Sequence, residues 1–121
     1  MSVRFVQHSI RKSVYNGLSD DNEKKEVQVN LHGNIAVSRG ELPGSINVMY
    51  SFLIGESESD PVMKVVTETQ YEYTEESDAS EDVLRKECLP TAISKTRSDV
   101  EGLLRDYGMS SVILPENIWK L

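Results

Sequence analysis

Three consecutive stretches of this sequence alternate between apolar and polar residues, and that period of two restricts the fold more than any other feature. The clearest stretch is 26–37, in which every second residue is apolar or glycine. The stretches 45–56 and 62–74 repeat the pattern. A period of two puts apolar side chains on one face of a strand, which is typical of antiparallel sheets with one buried face. We therefore predict three antiparallel strands over these ranges.

Short polar segments join the predicted strands and indicate how they pair. Turn-forming residues occupy 39–44 and 58–61. Strands joined by turns this short usually pair with their neighbours in the sequence. A further strand is predicted at 3–15, where it ends before Asn16-Gly17 and a polar linker at 19–25. The sequence thus predicts a four-stranded antiparallel meander.

The hydrophobic period changes after the fourth predicted strand. A helix-capping pattern precedes 81–87, which predicts a short helix, and Pro90 is expected either to end it or to start a new one. Beyond this proline, apolar residues recur at spacings of three and four. They predict a longer helix at 91–107 that stops at Gly108 and has one apolar stripe. An apolar stripe of this kind has to be buried, so we expect the helix to pack with it against the sheet.

The range 1–121 has the length of one domain. A chain of this size buries roughly two thirds of the surface that it exposes when unfolded, so a single core is sufficient. The order of the predicted elements gives an α+β fold class. We expect a four-stranded antiparallel meander sheet with a long C-terminal helix packed on one face.

Composition disfavours several classes of function. The one cysteine, Cys88, rules out an internal disulfide, and no zinc-type spacing occurs, so a cytoplasmic location is the simplest expectation. A net charge of -7 argues against a nucleic-acid partner, because Lys and Arg supply most of that affinity. We also expect no membrane insertion, because no apolar stretch is long enough for a signal peptide or a spanning helix.

No set of catalytic residues stands out in the sequence. His8 and His32 lie on predicted strands between apolar neighbours, where a surface or packing role is expected. Cys88 lies near the end of a predicted helix, where nothing lowers the pKa of its thiol. The glycines lack the spacing of phosphate-binding loops. We predict that the protein is not an enzyme, binds no metal and uses no cofactor.

Aromatic and sulfur-containing side chains are the best candidates for contact with a partner. Core packing explains most of them, but a sheet covered by a single helix leaves apolar area for a partner or for oligomerisation. The stretch after Gly108 is too apolar for a free tail, so it should pack back on the domain. The predicted binding residues are Met49, Tyr50, Phe52, Met63, Tyr71, Tyr73 and Trp119.

Three segments of the C-terminal third carry a family resemblance. They are Thr96–Leu103, with its Arg-Ser pair and a leucine, then Gly108-Met109, then Val112–Ile118 with its Leu-Pro step. In this order they resemble a helix, a glycine and a closing segment of the SecB-type protein-export chaperones and their Gram-positive and phage-borne relatives. The predicted order of four strands fits the same family.

The resemblance implies a sheet with a long helix on one side and dimers that pair into tetramers. It also implies apolar grooves that hold unfolded or extended segments of client proteins, without a cofactor or an enzymatic step. We therefore predict a SecB-like domain that binds unfolded or partly folded polypeptide as a homo-oligomer. One alternative is a structural or regulatory protein that binds one folded partner. Another is a small enzyme or ligand carrier with a pocket between sheet and helix.

Overall fold

Four strands and one long helix form most of the chain. The structure, a computed structural model, describes residues 3–17, 28–38, 43–55, 61–74, 81–109 and 114–120. The strands are β1 (Val3–Tyr15), β2 (Val29–Ser38), β3 (Gly44–Gly55) and β4 (Pro61–Tyr73). They are followed by the helix α1 (Glu81–Asp106) and a short 3₁₀ helix, Glu116–Trp119. All paired strands are antiparallel, which confirms the α+β class and the four-stranded antiparallel sheet with a helix on it.

The predicted strand ranges agree with the observed ones to within one residue wherever both are described. The predicted start of the second strand at 26 lies outside the described residues. So do the linker at 19–25, most of the turn at 39–44, and 58–60. Within the described ranges, no helix is both long and apolar enough to cross a membrane.

The strand order is β1-β4-β3-β2. The meander is therefore confirmed for β2, β3 and β4, whereas β1 pairs with β4 at the far edge of the sheet. This position of β1 corrects the predicted four-strand meander. The two short turns force neighbouring strands to pair, but the longer connection from Tyr15 to Val29 can reach the opposite edge. Both ends of that connection lie at the same end of the sheet, where Tyr15 pairs with Met63 and Val29 with Ile54.

Two irregularities in β1 explain why its sequence does not alternate cleanly. The register with β4 shifts between Phe5 and Gln7 and again between Ile10 and Lys12. Each shift inserts one extra residue and so reverses which side chains face α1. Bulges and charged side chains are typical of edge strands, and they match the position of β1 at one side of the sheet.

The two central strands, β3 and β4, supply most of the core. Along most of β3, buried side chains alternate with half-buried or exposed ones, and the buried face continues across β4. Helix α1 covers this face. A buried hydrogen bond of 2.8 Å joins the hydroxyls of Thr67 and Thr96, and Thr96 donates in turn to the Ala92 carbonyl. The core includes Ile46, Val48, Phe52, Ile54, Met63, Val65, Tyr73, Leu84 and Val100.

Helix α1 is continuous over 26 residues, which corrects the two helices predicted at 81–87 and 91–107. Pro90 lies inside the helix and does not end it. Leu84, Cys88 and Ala92 are all fully buried at a spacing of four, so the buried stripe runs past the proline. A proline removes one helical hydrogen bond, and packing of this stripe offsets the loss.

The end of α1 was predicted correctly. Gly108 has a φ of +72°, the left-handed conformation that glycine adopts readily at the end of a helix. The amide of Gly108 donates to the Arg105 carbonyl, and the amide of Met109 donates to the Leu104 carbonyl at 2.7 Å. These two bonds form a Schellman motif, which satisfies the last carbonyl groups of the helix.

Candidate functional site

Six of the seven predicted binding residues are buried within the chain. Phe52, Met63 and Tyr73 are 0% exposed, and the other three are at most 8% exposed. In this conformation these six predicted contact residues are core residues, and they present little open surface to a client or partner. The physical reason is that α1 runs unbroken across the buried face of the sheet and that Trp119 of the C-terminal segment stacks on Phe52. The six are Tyr50, Phe52, Met63, Tyr71, Tyr73 and Trp119.

Met49, the seventh predicted residue, lies on the opposite face of the sheet and is half-buried. Its neighbours across the strands are Asn34 and Glu68. This face is largely polar: Gln7 donates to Gln70 at 2.7 Å, and Gln70 donates to Glu68 at 3.0 Å. The structure therefore does not bring Met49 together with the other six residues.

A groove remains between β2 and the first half of α1, and we call it the β2 groove. Its volume is about 220 Å³. Arg85 of α1 and Lys120 of the C-terminal segment add basic groups to its lining. Of the predicted residues, only Tyr50 lines it. Its apolar lining consists of Leu31, Ile35, Tyr50, Leu89, Ile93 and Ile118.

The shape of the β2 groove depends on a close approach between Gly33 and Tyr50, which pair across β2 and β3. A Cβ atom at Gly33 would lie 2.5 Å from the Cε1 atom of Tyr50, so only glycine allows the ring to lie flat against β2. β2 is also an edge strand, and no described strand pairs with its outer side. Its outward backbone N–H and C=O groups run alongside the apolar groove.

A second cavity, of about 340 Å³, lies between α1 and the C-terminal segment. Its side wall is held by Arg97, which donates to Glu101 at 2.7 Å and to both oxygens of Glu116 at 2.7 and 3.1 Å. These bonds raise the pKa of Arg97. The guanidinium also lies over Trp119, 5.7 Å from the ring centroid, and Trp119 stacks on Phe52. This network fixes the 3₁₀ helix against the core.

His8 of β1 makes one hydrogen bond to β4 and one to α1. Its Nδ1 lies 2.7 Å from Thr69 Oγ1, and its Nε2 lies 2.6 Å from Asp99 Oδ2. The order hydroxyl, imidazole, carboxylate is that of a hydrolase triad. However, Thr69 is 0% exposed, so its hydroxyl cannot meet a substrate. The arrangement acts as a polar link between strand and helix.

The described residues form neither a metal site nor a reactive thiol site. No three His, Cys, Asp or Glu side chains come together as metal ligands among the residues described. Cys88 is fully buried, and burial raises the pKa of its thiol to about 11, so little thiolate forms at neutral pH.

Exposed apolar side chains concentrate on β1, a surface that sequence reasoning missed. Phe5, Val6, Ile10 and Tyr15 are 41–43% exposed, and Val83 of α1 is the other large apolar residue exposed in the described part. The Lys95 ammonium lies 4.7 Å from the Phe5 ring centroid, and Tyr15 stacks on Tyr107 at 4.4 Å. The sequence signal that could have indicated this surface is the number of apolar residues in 3–15, which do not alternate regularly with polar ones.

Neither protein-family models nor curated proteins provide a relative of this chain. No protein-family model matches it, and the search of curated proteins found no significant similarity. The geometry of the β2 groove and of the β1 surface therefore carries the functional proposal.

Proposed function

We propose that this protein binds extended segments of unfolded or partly folded proteins in the β2 groove, as a chaperone-type domain without catalysis. The observation that carries the proposal is the position of an apolar groove directly beside β2, whose outer side pairs with none of the described strands. An extended peptide can add to such an edge through backbone hydrogen bonds while its alternate side chains enter the groove. Backbone pairing and apolar contact need no particular sequence, which suits binding of unfolded chains.

The resemblance of the C-terminal third to the SecB-type chaperones supports the same function. Proteins of that family bind unfolded clients in apolar grooves, and the resemblance also implies that this chain forms oligomers. We further propose a cytoplasmic location, which the single cysteine supports. Tyr50, which lines the β2 groove, then contacts the client, and the other five buried aromatic and sulfur-containing residues belong to the core.

Replacing Ile35 with glutamate should abolish most of the binding. Ile35 is half-buried in the groove, and a carboxylate there would be desolvated by an apolar client. We expect suppression of aggregation of a reduced, unfolded model substrate to fall about tenfold, in line with a loss of roughly 1.4 kcal/mol or more. Light scattering at near-stoichiometric ratios measures this. Circular dichroism verifies that the variant is folded.

Ala36→Glu is the matched control. Ala36 is the next residue on β2, is exposed and faces away from α1, so the same charge at this position should leave suppression unchanged. The proposal fails if the wild-type protein does not suppress aggregation, or if both variants behave alike. Stoichiometric binding of one folded protein without affinity for unfolded chains would favour the alternative, a regulatory interaction protein.

We also infer that the exposed apolar side chains of β1 are a contact between copies of this chain. Replacing Ile10 with lysine should then shift the protein towards its monomer mass of 13.6 kDa, because a charge would be buried in the contact. Sedimentation or light scattering after gel filtration measures the mass. Val83→Lys changes a similarly exposed apolar residue on α1 and should leave the mass unchanged. A monomeric wild-type protein would contradict the inference.

A further inference from the structure

We propose that the β2 groove prefers client segments whose apolar residues are flanked by carboxylates, because a cation lies at each end of the groove. The preferred segment is extended, with its apolar and acidic side chains on the same face. This inference deepens the proposed function and rests on it. It adds a charge preference to a groove whose backbone and apolar contacts are otherwise indifferent to sequence.

The charges that line the β2 groove are of one sign. Arg85 and Lys120 are its charged lining residues, and none of the described residues that line it is acidic. Burial raises the pKa of the Tyr50 phenol, and the charge of Arg85 opposes that rise, so this cation acts on the apolar lining. The chain as a whole has a net charge of -7. The groove is therefore a basic site on an acidic protein.

Lys120 marks one end of the groove. The preceding residue, Trp119, stacks on Phe52 of β3 with their ring centroids 6.0 Å apart. Phe52 pairs in turn with Leu31 of β2. The C-terminal segment therefore lies over the sheet at the Leu31 end of the groove, and the exposed side chain of Lys120 lies there with it.

Arg85 marks the other end of the groove. Three residues later on α1, the Cys88 carbonyl accepts a hydrogen bond of 2.7 Å from Tyr71 of β4. Tyr71 pairs with Ile46 of β3, and Ile46 pairs with Val37 of β2. The first turns of α1 therefore lie towards the Val37 end of β2, opposite to the C-terminal segment.

The backbone of β2 presents the apolar positions of the groove to an added strand. The Gly55 amide donates to the Gln28 carbonyl at 2.9 Å across the pair of β2 and β3. Hydrogen-bonded pairs alternate along an antiparallel ladder, so the N–H and C=O groups of Leu31, Gly33 and Ile35 point away from β3. A strand that pairs antiparallel with these groups places its directly opposite side chains on the groove side.

This alternation defines the pattern that the groove should select. Three apolar side chains at alternate positions of the client face Leu31, Gly33 and Ile35, a run of about 14 Å. The next alternate position on each side faces Val29 or Val37, towards the two cations. Carboxylates there form ion pairs at the rims of the groove and avoid the cost of burial among apolar side chains. Lysines there would meet like charges.

Peptides test this pattern on the wild-type chain. Four nine-residue peptides, acetylated and amidated, share leucines at alternate central positions and are otherwise threonine between their flanking residues. The flanking residues are aspartate, asparagine or lysine, and in the fourth peptide each aspartate exchanges places with the adjacent threonine. Calorimetry should show the aspartate peptide binding about fivefold tighter than the asparagine peptide and the lysine peptide about fivefold weaker. The exchanged peptide should bind like the asparagine peptide, because its carboxylates face away from the groove.

Lys120→Glu tests the contribution of one cation. In this variant the affinity for the aspartate peptide relative to the lysine peptide should fall at least about tenfold. Lys12→Glu is the matched control: Lys12 is exposed on β1, at the opposite edge of the sheet, and the net charge changes equally. That variant should keep the wild-type preference. Both variants should bind the asparagine peptide as tightly as the wild-type protein does, which verifies that the groove is intact.

The inference is overturned if the wild-type protein binds the aspartate, asparagine and lysine peptides equally, or if it binds none of them. Either result would leave aggregation suppression and its dependence on Ile35 intact. Conversely, a charge preference without any suppression of aggregation would overturn the chaperone-type function and keep the selectivity of the groove. Peptide calorimetry and aggregation assays therefore separate the two hypotheses.

Discussion

Replacing Phe52 with alanine is expected to lower the free energy of unfolding by about 3–5 kcal/mol, the range for truncating a fully buried phenylalanine. Phe52 is 0% exposed, and its ring stacks on Trp119 with the centroids 6.0 Å apart. It pairs with Val65 of β4 on one side and Leu31 of β2 on the other. Truncation would leave a cavity and remove the support of the 3₁₀ helix. Equilibrium denaturation in urea measures the loss.

Met49→Ala is the matched control for this prediction. Met49 lies three residues earlier on the same strand, half-buried on the polar face of the sheet. Its truncation should lower the free energy of unfolding by less than about 1 kcal/mol. If Phe52 were instead a contact for clients, Phe52→Ala would weaken binding and leave stability nearly unchanged. Equal, small losses for both variants would contradict the placement of Phe52 in the core.

The strands were predictable because their signal is local. A strand with one buried face shows alternating apolar residues within its own stretch of sequence. The ends of β2, β3 and β4 were therefore predicted to within one residue wherever they are described. The pairing of β1 was not predictable in the same way. Its connection to β2 is too long to dictate a neighbour, and two register shifts disturb its alternation. Pro90 was overestimated as a helix breaker, because the stripe through Leu84 and Cys88 is a tertiary feature.

The candidate site was harder to predict because it depends on contacts between distant residues. Neither the strand pattern nor the helix pattern alone tells how completely one helix covers a sheet. For this reason the sequence did not reveal that six of the aromatic and sulfur-containing candidates lie in the core. The β2 groove exists because β2 is at the edge and because Tyr50 packs on Gly33. Leu31 and Ile35 on either side of Gly33 were the available signal, and it predicted an apolar face without locating a groove.

Raising the pH from 8 to about 12 should destabilise the protein through Tyr71 and Cys88. Burial, as the largest cause, raises the pKa of Tyr71 from 10.0 to about 12 and that of Cys88 from 9.0 to about 11. The folded state therefore holds both protons more tightly than the unfolded state does. Their contribution is complete below pH 9 and is lost as the pH rises through 11 to 12. Two such shifts correspond to a loss of about 3 kcal/mol or more.

The double variant Tyr71→Phe and Cys88→Ala isolates this effect from the titration of lysines and of the other tyrosines. Its stability at pH 8 should be lower than that of the wild-type protein, because Cys88 is buried and Tyr71 donates to its carbonyl. Its dependence on pH between 9 and 12 should nevertheless be flatter, since neither replacement carries a proton to lose. Urea denaturation across this range measures both slopes. Parallel curves for the two proteins would mean that the phenol and the thiol are already solvated in the folded state, which would contradict their burial beneath α1.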